Sequence, residues 1–322
     1  MPSLNLSDGR IVREPAGNRD GFWAGAPGAF YEATEKAWYL TYRLRRPRGI
    51  EPDRGGEARI ARSADLKNWR DIWSVNKIQY QTASIERSAL RRGPDGIWRY
   101  FTSYVDPKDG RWLTAMLRGP DVTRLEARSS TVIFTAPALR LEGIKDPWIL
   151  RHGKLYYMFL SVAVATPGTT AQSHSTFDIY NTGECLSATG LATSADLDHW
   201  AWKGIVFQPA ATGWDCYCRR INSVVPMDGR FLAFYDGSAS HKENYEEKTG
   251  LAVSTDLFNW QTLTANAPAQ VSPHGSHSLR YMDAQARGKN AVAFYEQARP
   301  DGSHDLRLTI LESAAFRSLL PA

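Results

Sequence analysis

Short apolar runs separated by turns recur along the whole chain, and no window sustains a 3.6-residue period, so the sequence predicts strands and not helices. The aromatic-rich runs are Ala37–Tyr42, Trp98–Tyr104, Leu155–Leu160, Phe231–Tyr235 and Ala291–Tyr295. A turn precedes each, and most of these turns carry Gly or Asp: Gly93-Pro94-Asp95-Gly96, His152-Gly153-Lys154, Asp228-Gly229-Arg230 and Arg287-Gly288-Lys289. Another short apolar run comes before each turn. The pattern is therefore five hairpins, each followed by one or two further strands, in units of about 60 residues.

A second repeat runs through the first. The phrase Ser-x-Asp-Leu-x-x-Trp occurs as Ser63-Ala64-Asp65-Leu66-Lys67-Asn68-Trp69, Ser194-Ala195-Asp196-Leu197-Asp198-His199-Trp200 and Ser254-Thr255-Asp256-Leu257-Phe258-Asn259-Trp260. The second and third copies lie one unit apart. The first and second lie about two units apart, so a degenerate copy is expected between them. In each copy the Asp can bond backbone N–H groups of a turn, and the Trp can anchor the strand that follows. Units of this size suit four-stranded blades, which predicts an all-β, five-bladed β-propeller formed by one domain, residues 1–322. First strands are expected near residues 22–31, 83–91, 145–151, 220–226 and 276–283, with residues 3–14 supplying the outer strand of the last blade.

Composition narrows the function classes. Apolar residues make up 43% of the chain and aromatic residues 11%, ample for a core. The net charge is only +5 and the arginines are spread along the chain, while the aromatics sit at strand positions; this argues against a nucleic-acid partner. No apolar stretch of about 18 residues exists, so no membrane partner is expected. Met1–Gly21 is polar and lacks a secretory h-region. The three cysteines, Cys185, Cys216 and Cys218, are too few and odd for a disulfide framework, which fits a reducing, cytoplasmic setting. Cys216-Tyr217-Cys218 has the wrong spacing for zinc, and no metal site is expected. Oligomeric state is not legible.

In a propeller blade the first strand starts on the ligand-binding face and the second strand returns to it. The first-strand starts read Trp23-Ala24-Gly25-Ala26-Pro27, Ser84-Ile85-Glu86-Arg87-Ser88, Ile144-Lys145-Asp146-Pro147-Trp148, Arg219-Arg220-Ile221-Asn222-Ser223 and His274-Gly275-Ser276-His277-Ser278. Aligned on their apolar positions, Glu86 and Asp146 take equivalent places in adjacent blades, near the central channel, and Ala26 holds that place in the first blade.

This layout resembles the five-bladed propeller glycosidases: arabinanases, xylosidases and arabinofuranosidases, with the related invertase-like and mannoside-phosphorylase groups. The Lys145-Asp146-Pro147 strand start, the five hairpins and the repeated Asp turns carry the resemblance over roughly residues 20–312. It implies a glycoside hydrolase or related carbohydrate-active enzyme acting on a small glycoside or oligosaccharide. It implies no required cofactor, with a structural ion or water in the central channel beside a histidine of the last blade, for which His277 is the better candidate and His274 the other. The chain also departs from that pattern. Where those families place an aspartate in the first blade this chain has Ala26, the nearest acid being Asp20. Where the arabinanase type places its acid glutamate, in the fourth blade, it reads Arg220-Ile221-Asn222.

Glycosidic cleavage needs one carboxyl group to protonate the leaving oxygen and another to attack or to activate water. Two carboxyls close together push one pKa up, which keeps the acid protonated. Glu86 and Asp146 are the leading pair, although each could instead anchor a loop through Arg87 or Lys145. Asp20 and Asp215 are further candidates. Asp106, Asp236 and Glu296 end second strands and read as loop anchors at the mouth. Trp23, Trp148 and Trp214 could stack on a sugar, and Arg87, Arg220, Asn222 and His277 could bind it. Arg43, Arg45, Arg87, Arg219 and Arg220 could converge on one mouth and select an anionic sugar. The Arg-rich residues 43–56 and the long insertion 163–187 are expected as loops on that face. Two other readings stay open: a non-catalytic sugar-binding propeller, and a sialidase- or lyase-like enzyme for acidic sugars. Against the latter, the Asp turns lack the Gly of sialidase boxes and place Trp one residue early.

Overall fold

The computed structural model describes residues 4–6 and 9–320. The chain is nearly all-β, with several short 3-10 turns and one α-helical turn, α1 (Ala314–Arg317), among the described residues. After β1 (Arg10–Arg13) come five antiparallel units. The first is β2 (Trp23–Glu32), β3 (Ala37–Arg46), β4 (Arg54–Ser63) and β5 (Arg70–Asn76). The second is β6 (Ala89–Arg92), β7 (Trp98–Val105), β8 (Trp112–Gly119) and β9 (Thr131–Phe134). The third is β10 (Gly143–His152), β11 (Leu155–Ala165), β12 (Cys185–Ser194) and β13 (Ala201–Phe207). The fourth is β14 (Cys218–Met227), β15 (Arg230–Ser238), β16 (Lys248–Ser254) and the short β17 (Gln261–Thr262). The fifth is β18 (Leu279–Arg287), β19 (Asn290–Ala298) and β20 (His304–Glu312), and its fourth strand is β1, paired antiparallel with β20.

The N-terminal segment thus supplies the strand expected of it, over Arg10–Arg13; residues 3, 7 and 8 of the expected stretch lie outside the described residues. Two first strands differ from expectation. In the second unit Ile85 makes only an isolated bridge to Tyr104 and the continuous strand starts at Ala89. In the fifth, His274–His277 closes a turn (His277 N–H to His274 O, 2.9 Å), so the strand begins at Leu279 and runs to Arg287.

The repeated Asp turns are near-copies of one another. Oδ1 of Asp65, Asp196 and Asp256 accepts the backbone N–H groups two and three residues on, at 2.8–2.9 Å. The following Leu66, Leu197 and Leu257 sit at φ of +62°, +72° and +70°, a conformation costly for a branched side chain unless its surroundings hold it there. The holding contact is visible: the indole N–H of Trp69, Trp200 and Trp260 donates to the carbonyl of that leucine. The same three indoles pack edge-on against a phenylalanine of the preceding unit: Trp200 on Phe101 (5.7 Å), Trp260 on Phe159 (6.0 Å) and Trp69 on Phe294 of the fifth unit (5.7 Å). The expected degenerate copy follows β8. There Asp121 accepts the N–H of Thr123 at 2.9 Å, Val122 is buried and the Trp is absent.

Three first strands touch the preceding unit through a single parallel bridge, Cys218 with Ser187, Leu279 with Lys248 and Trp23 with His304, and the backbone groups beyond these bridges need other partners. Side chains of neighbouring units supply them. Thr41 donates to Ser88 O, Ser103 Oγ accepts from Asp146 N–H, and Thr189 Oγ1 accepts from Ile221 N–H. Ser223 donates to Met282 O, and Asp283 accepts from Ala29 N–H. Apolar clusters likewise join unit to unit. Tyr39, Ile60 and Tyr100 join the first two; Phe101, Met158 and Leu160 the next; Phe159, Leu191 and Ala233 the next; Phe234, Met282 and Ala293 the fourth and fifth; Leu40, Phe294 and Leu308 the fifth and first. Each such side chain contributes about 1.5–3 kcal/mol on burial.

Candidate active site

Four first strands carry a one-residue bulge near their start. The register slips between Gly25 and Gly28, Lys145 and Trp148, Ile221 and Ser223, and Arg280 and Asp283. A bulge re-aims side chains that regular pleating would bury between sheets. At three of them the residue has left-handed φ: Ala26 (+52°), Asp146 (+58°) and Tyr281 (+52°). Ala26 and Asp146 are thus structural equivalents, as the sequence suggested. Glu86 is not. Its N–H bonds Ser103 O, whereas Lys145 pairs with Ser161 and Ala89 with Phe101. Glu86 therefore corresponds to Lys145, and Arg87 to Asp146. Both segments set three residues against two of their second strand, so the bulge is common to them, and the alignment on apolar positions is one residue out of register.

Around these bulges lies a buried network of alternating charge. Arg43 on β3 bonds Glu86, and its other Nη lies 3.7 Å from Glu296 on β19. Arg280 on β18 grips Glu296 (2.6 and 2.9 Å) and Glu247 (2.8 Å), and Arg220 on β14 bonds Glu247. His304 joins Glu296 through Nδ1 (2.8 Å) and Glu246 through Nε2 (3.1 Å), and its ring stacks on Trp23 at 4.7 Å. Burial alone would raise the Glu296 carboxyl and lower the His304 imidazole. The opposite charges win: Arg280, His304 and Arg43 hold Glu296 well below the usual range, and Glu246 and Glu296 hold His304 above it.

Asp146 differs from these carboxylates. Its Oδ1 accepts the Arg87 N–H (3.2 Å), Lys145 Nζ stands 4.0 Å from Oδ2, and Oδ2 has no hydrogen bond among the described residues. Burial, with the charge of Glu86 added, raises its pKa above the ordinary carboxylate value; Lys145 offsets part of this. Asp236 is also raised, by burial and by Glu247. Its Oδ1 accepts the Tyr281 N–H at 2.9 Å. The Tyr281 ring lies near Arg43, Arg87 and Arg280, with centroids 5.9, 5.8 and 5.1 Å away.

The remaining candidates scatter. Asp20 is exposed in a turn beside Gly302, outside the buried network. Asp215 is buried but spoken for: it accepts from Arg219 and from the Tyr235 hydroxyl, both at 2.7 Å, and so anchors a loop. Arg219 is thereby held beside Asp215 and does not join the cluster. Arg87 runs the other way, bonding Pro27 O (2.8 Å) and Asn222 O and Oδ1 (2.9 and 3.1 Å) to tie three first strands together. Asn222 serves that tie. Arg220 and Trp23 belong to the network. Trp148 is buried and donates to Asp283 (3.1 Å); it lines a cavity of about 480 Å³ at the other ends of the first strands, with Arg91, Val225 and Gln285. Trp214 stacks on Tyr235 and donates to Thr264 O (2.7 Å), so it packs within its own unit. His277 is exposed, with Nδ1 3.0 Å from Ser272 O; the buried histidine of the last unit is His304. Asp106 caps its turn through Lys108 N–H, as expected of an anchor, whereas Asp236 and Glu296 are fully buried in the network. Arg43, Arg45 and Arg46 lie in β3 and Arg54 in β4, so only residues 47–53 of the Arg-rich segment form a loop.

Glu247, Glu296, Arg280, Tyr281 and His304 were not singled out as functional from the sequence. The signal available was position alone: each lies at the start of a first strand, or at an end of a second or third strand that faces it. No group of three or more His, Cys, Asp and Glu among the described residues is arranged to hold a metal ion.

No protein-family profile and no curated protein sequence matches the chain. Solved structures do. One described as a glycoside hydrolase superposes with TM-score 0.66 at 15% identity, over 94% of this chain and 90% of that one. An α-L-arabinofuranosidase from Lactobacillus brevis gives 0.60 at 15%, over 89% and 90%. A β-1,2-mannobiose phosphorylase from Listeria innocua, in complex with β-1,2-mannobiose, gives 0.62 at 14%, over 99% and 97%. At these identities the likeness is one of fold, and the chain shares the fold of the arabinofuranosidase-type glycoside hydrolases and the mannobiose phosphorylase.

Proposed function

We propose that the five units are blades of one closed β-propeller domain and that the chain cleaves a glycosidic bond in its central channel. The observation that carries this is the pair Glu86 and Asp146. Both are buried at the starts of adjacent first strands, one bonded to Arg43, the other raised in pKa with a carboxyl oxygen left free. Environments that separate two carboxyls in this way assign an acid and its charged partner. In this reading Asp146 protonates the leaving oxygen, Glu86, with Glu296 on the far side of Arg43, stabilises positive charge at the anomeric carbon, and a water molecule adds to that carbon and returns a proton to Asp146. The shared fold supports a carbohydrate ligand.

A second reading, a sugar-binding propeller without catalysis, is favoured by one observation: Glu86, Glu247 and Glu296 are all bonded to arginine, and Ala26 offers no carboxylate. A screen of aryl glycosides and oligosaccharides, with products read by NMR, separates the two. Cleavage abolished at least a hundredfold by Asp146→Asn and Glu86→Gln, with folding retained, supports the enzyme. Binding of sugars with no cleavage of any glycoside overturns it. The three free thiols also lead us to propose a reducing compartment, which cell fractionation would check.

A further inference from the structure

Arg43, Arg220 and Arg280 each have a glutamate, but three other buried cations do not. Arg45 is 7% exposed, lies between the rings of Tyr245 (4.3 Å) and Trp23 (4.9 Å), and makes no hydrogen bond or ion pair among the described residues. Arg54, 3% exposed, donates only to Phe177 O at 2.8 Å. Lys145, 1% exposed, lies over Tyr180 (4.5 Å) and Trp112 (4.8 Å), with no charged group nearer than the 4.0 Å of Asp146. The carboxylate that all three cations share is Asp178, fixed by the Trp112 indole (3.2 Å), Asn181 (3.1 Å) and the Tyr245 hydroxyl. Three positive charges thus gather about Asp178; Asp146 and Glu86 also act on Lys145, and Glu86 is already matched by Arg43.

The surrounding backbone is strained. Tyr245 and Phe177, on the segments that follow β15 and β11, have φ of +87° and +57°. Strain of this kind persists where the neighbourhood over-determines it, and it gathers at ligand clamps. Buried cations require counter-charge, and a guanidinium backed by aromatic faces presents its fork to a planar or tetrahedral oxyanion.

We propose that Arg45, Arg54 and Lys145, clustered around Asp178, bind an anionic group, either a carboxylate or sulfate carried by the sugar or a free phosphate. The inference rests on the carbohydrate reading above and names its ligand class. Lys145 joins the cluster to Asp146, so the anion would sit beside the candidate acid.

Calorimetric titration of the full chain with glucuronate, galacturonate, a sulfated glucose, inorganic phosphate and the matching neutral sugars tests it. At least one anion should bind about tenfold or more tightly than its neutral counterpart at low salt, the scale of one charged hydrogen bond. The advantage should shrink at high salt. Arg45→Gln and Lys145→Met should collapse the acid-to-neutral ratio, and Arg45→Lys should restore part of it. Preference for sugar acids alone assigns the anion to the substrate; binding of phosphate alone assigns it to a free oxyanion. Equal affinities at low salt would overturn the proposal. Cleavage of neutral glycosides without any anion preference would do so while leaving the enzyme reading intact. Anion binding without cleavage of any glycoside would uphold the anion site and overturn the enzyme.

Discussion

Asp146 is held in a left-handed backbone conformation, and its burial acts against a charged carboxylate. A carboxyl whose folded pKa is raised contributes stability that is complete below its unfolded value and lost as pH rises through the folded one. Asp146→Asn should therefore melt higher than the parent protein at neutral pH, with the gap closing as the pH falls toward 3.8. Melting curves across pH that coincide at every point would contradict this. His304 has the same sign by a different route: its raised pKa adds stability that is present below 6.5 and fades above. His304→Gln should be costlier at pH 6 than at pH 9, read by chemical denaturation at the two values. These two residues show what the sequence could convey. Asp146 was legible because a carboxylate between Lys145 and Pro147 interrupts an apolar strand. His304 was not, because Glu296 on β19 and Glu246 in the loop before β16 reach it from elsewhere in the chain and nothing local marks the meeting.

At the scale of the element, the Asp turn and its tryptophan make one device with two functions. The Asp holds the turn, and the indole both bonds the left-handed leucine and packs on the unit before. Asp256→Ala should cost about 1 kcal/mol, as the loss of a side-chain cap does elsewhere. Trp200→Ala should cost more, on the order of 3 kcal/mol, because it opens the contact with Phe101 as well. Urea titrations would rank the two, and equal costs would mean the indole does not join units. The repeat itself was readable from its spacing, including the degenerate copy at Asp121. The bulges were not. They add one residue without any composition signal; and since an apolar run fixes no register by itself, Glu86 was aligned one place away from its true counterpart, Lys145.

Across the whole molecule, the side-chain hydrogen bonds onto first strands, the apolar clusters and the Trp69–Phe294 contact run from each unit to the next and return from the fifth to the first. Hairpin periodicity made the strand count and the unit length visible, whereas the buried charge network depends on five units meeting and has no signature in any one of them. The pairing of β1 with β20 adds a temporal constraint. The fourth strand of the fifth unit is made on the ribosome before any of its partners, and it stays without a sheet until nearly all of the chain has emerged. Arrival of β20 is then a single late event that completes the last sheet. A circular permutant that carries residues 1–16 behind the C-terminus, on a short flexible link, would place β1 next to its partner in time as well as in space. It should refold faster than the parent, since the longest loop to be closed is gone. Stopped-flow refolding of the two chains, with equal or slower folding in the permutant, would show that docking of β1 onto β20 does not limit folding.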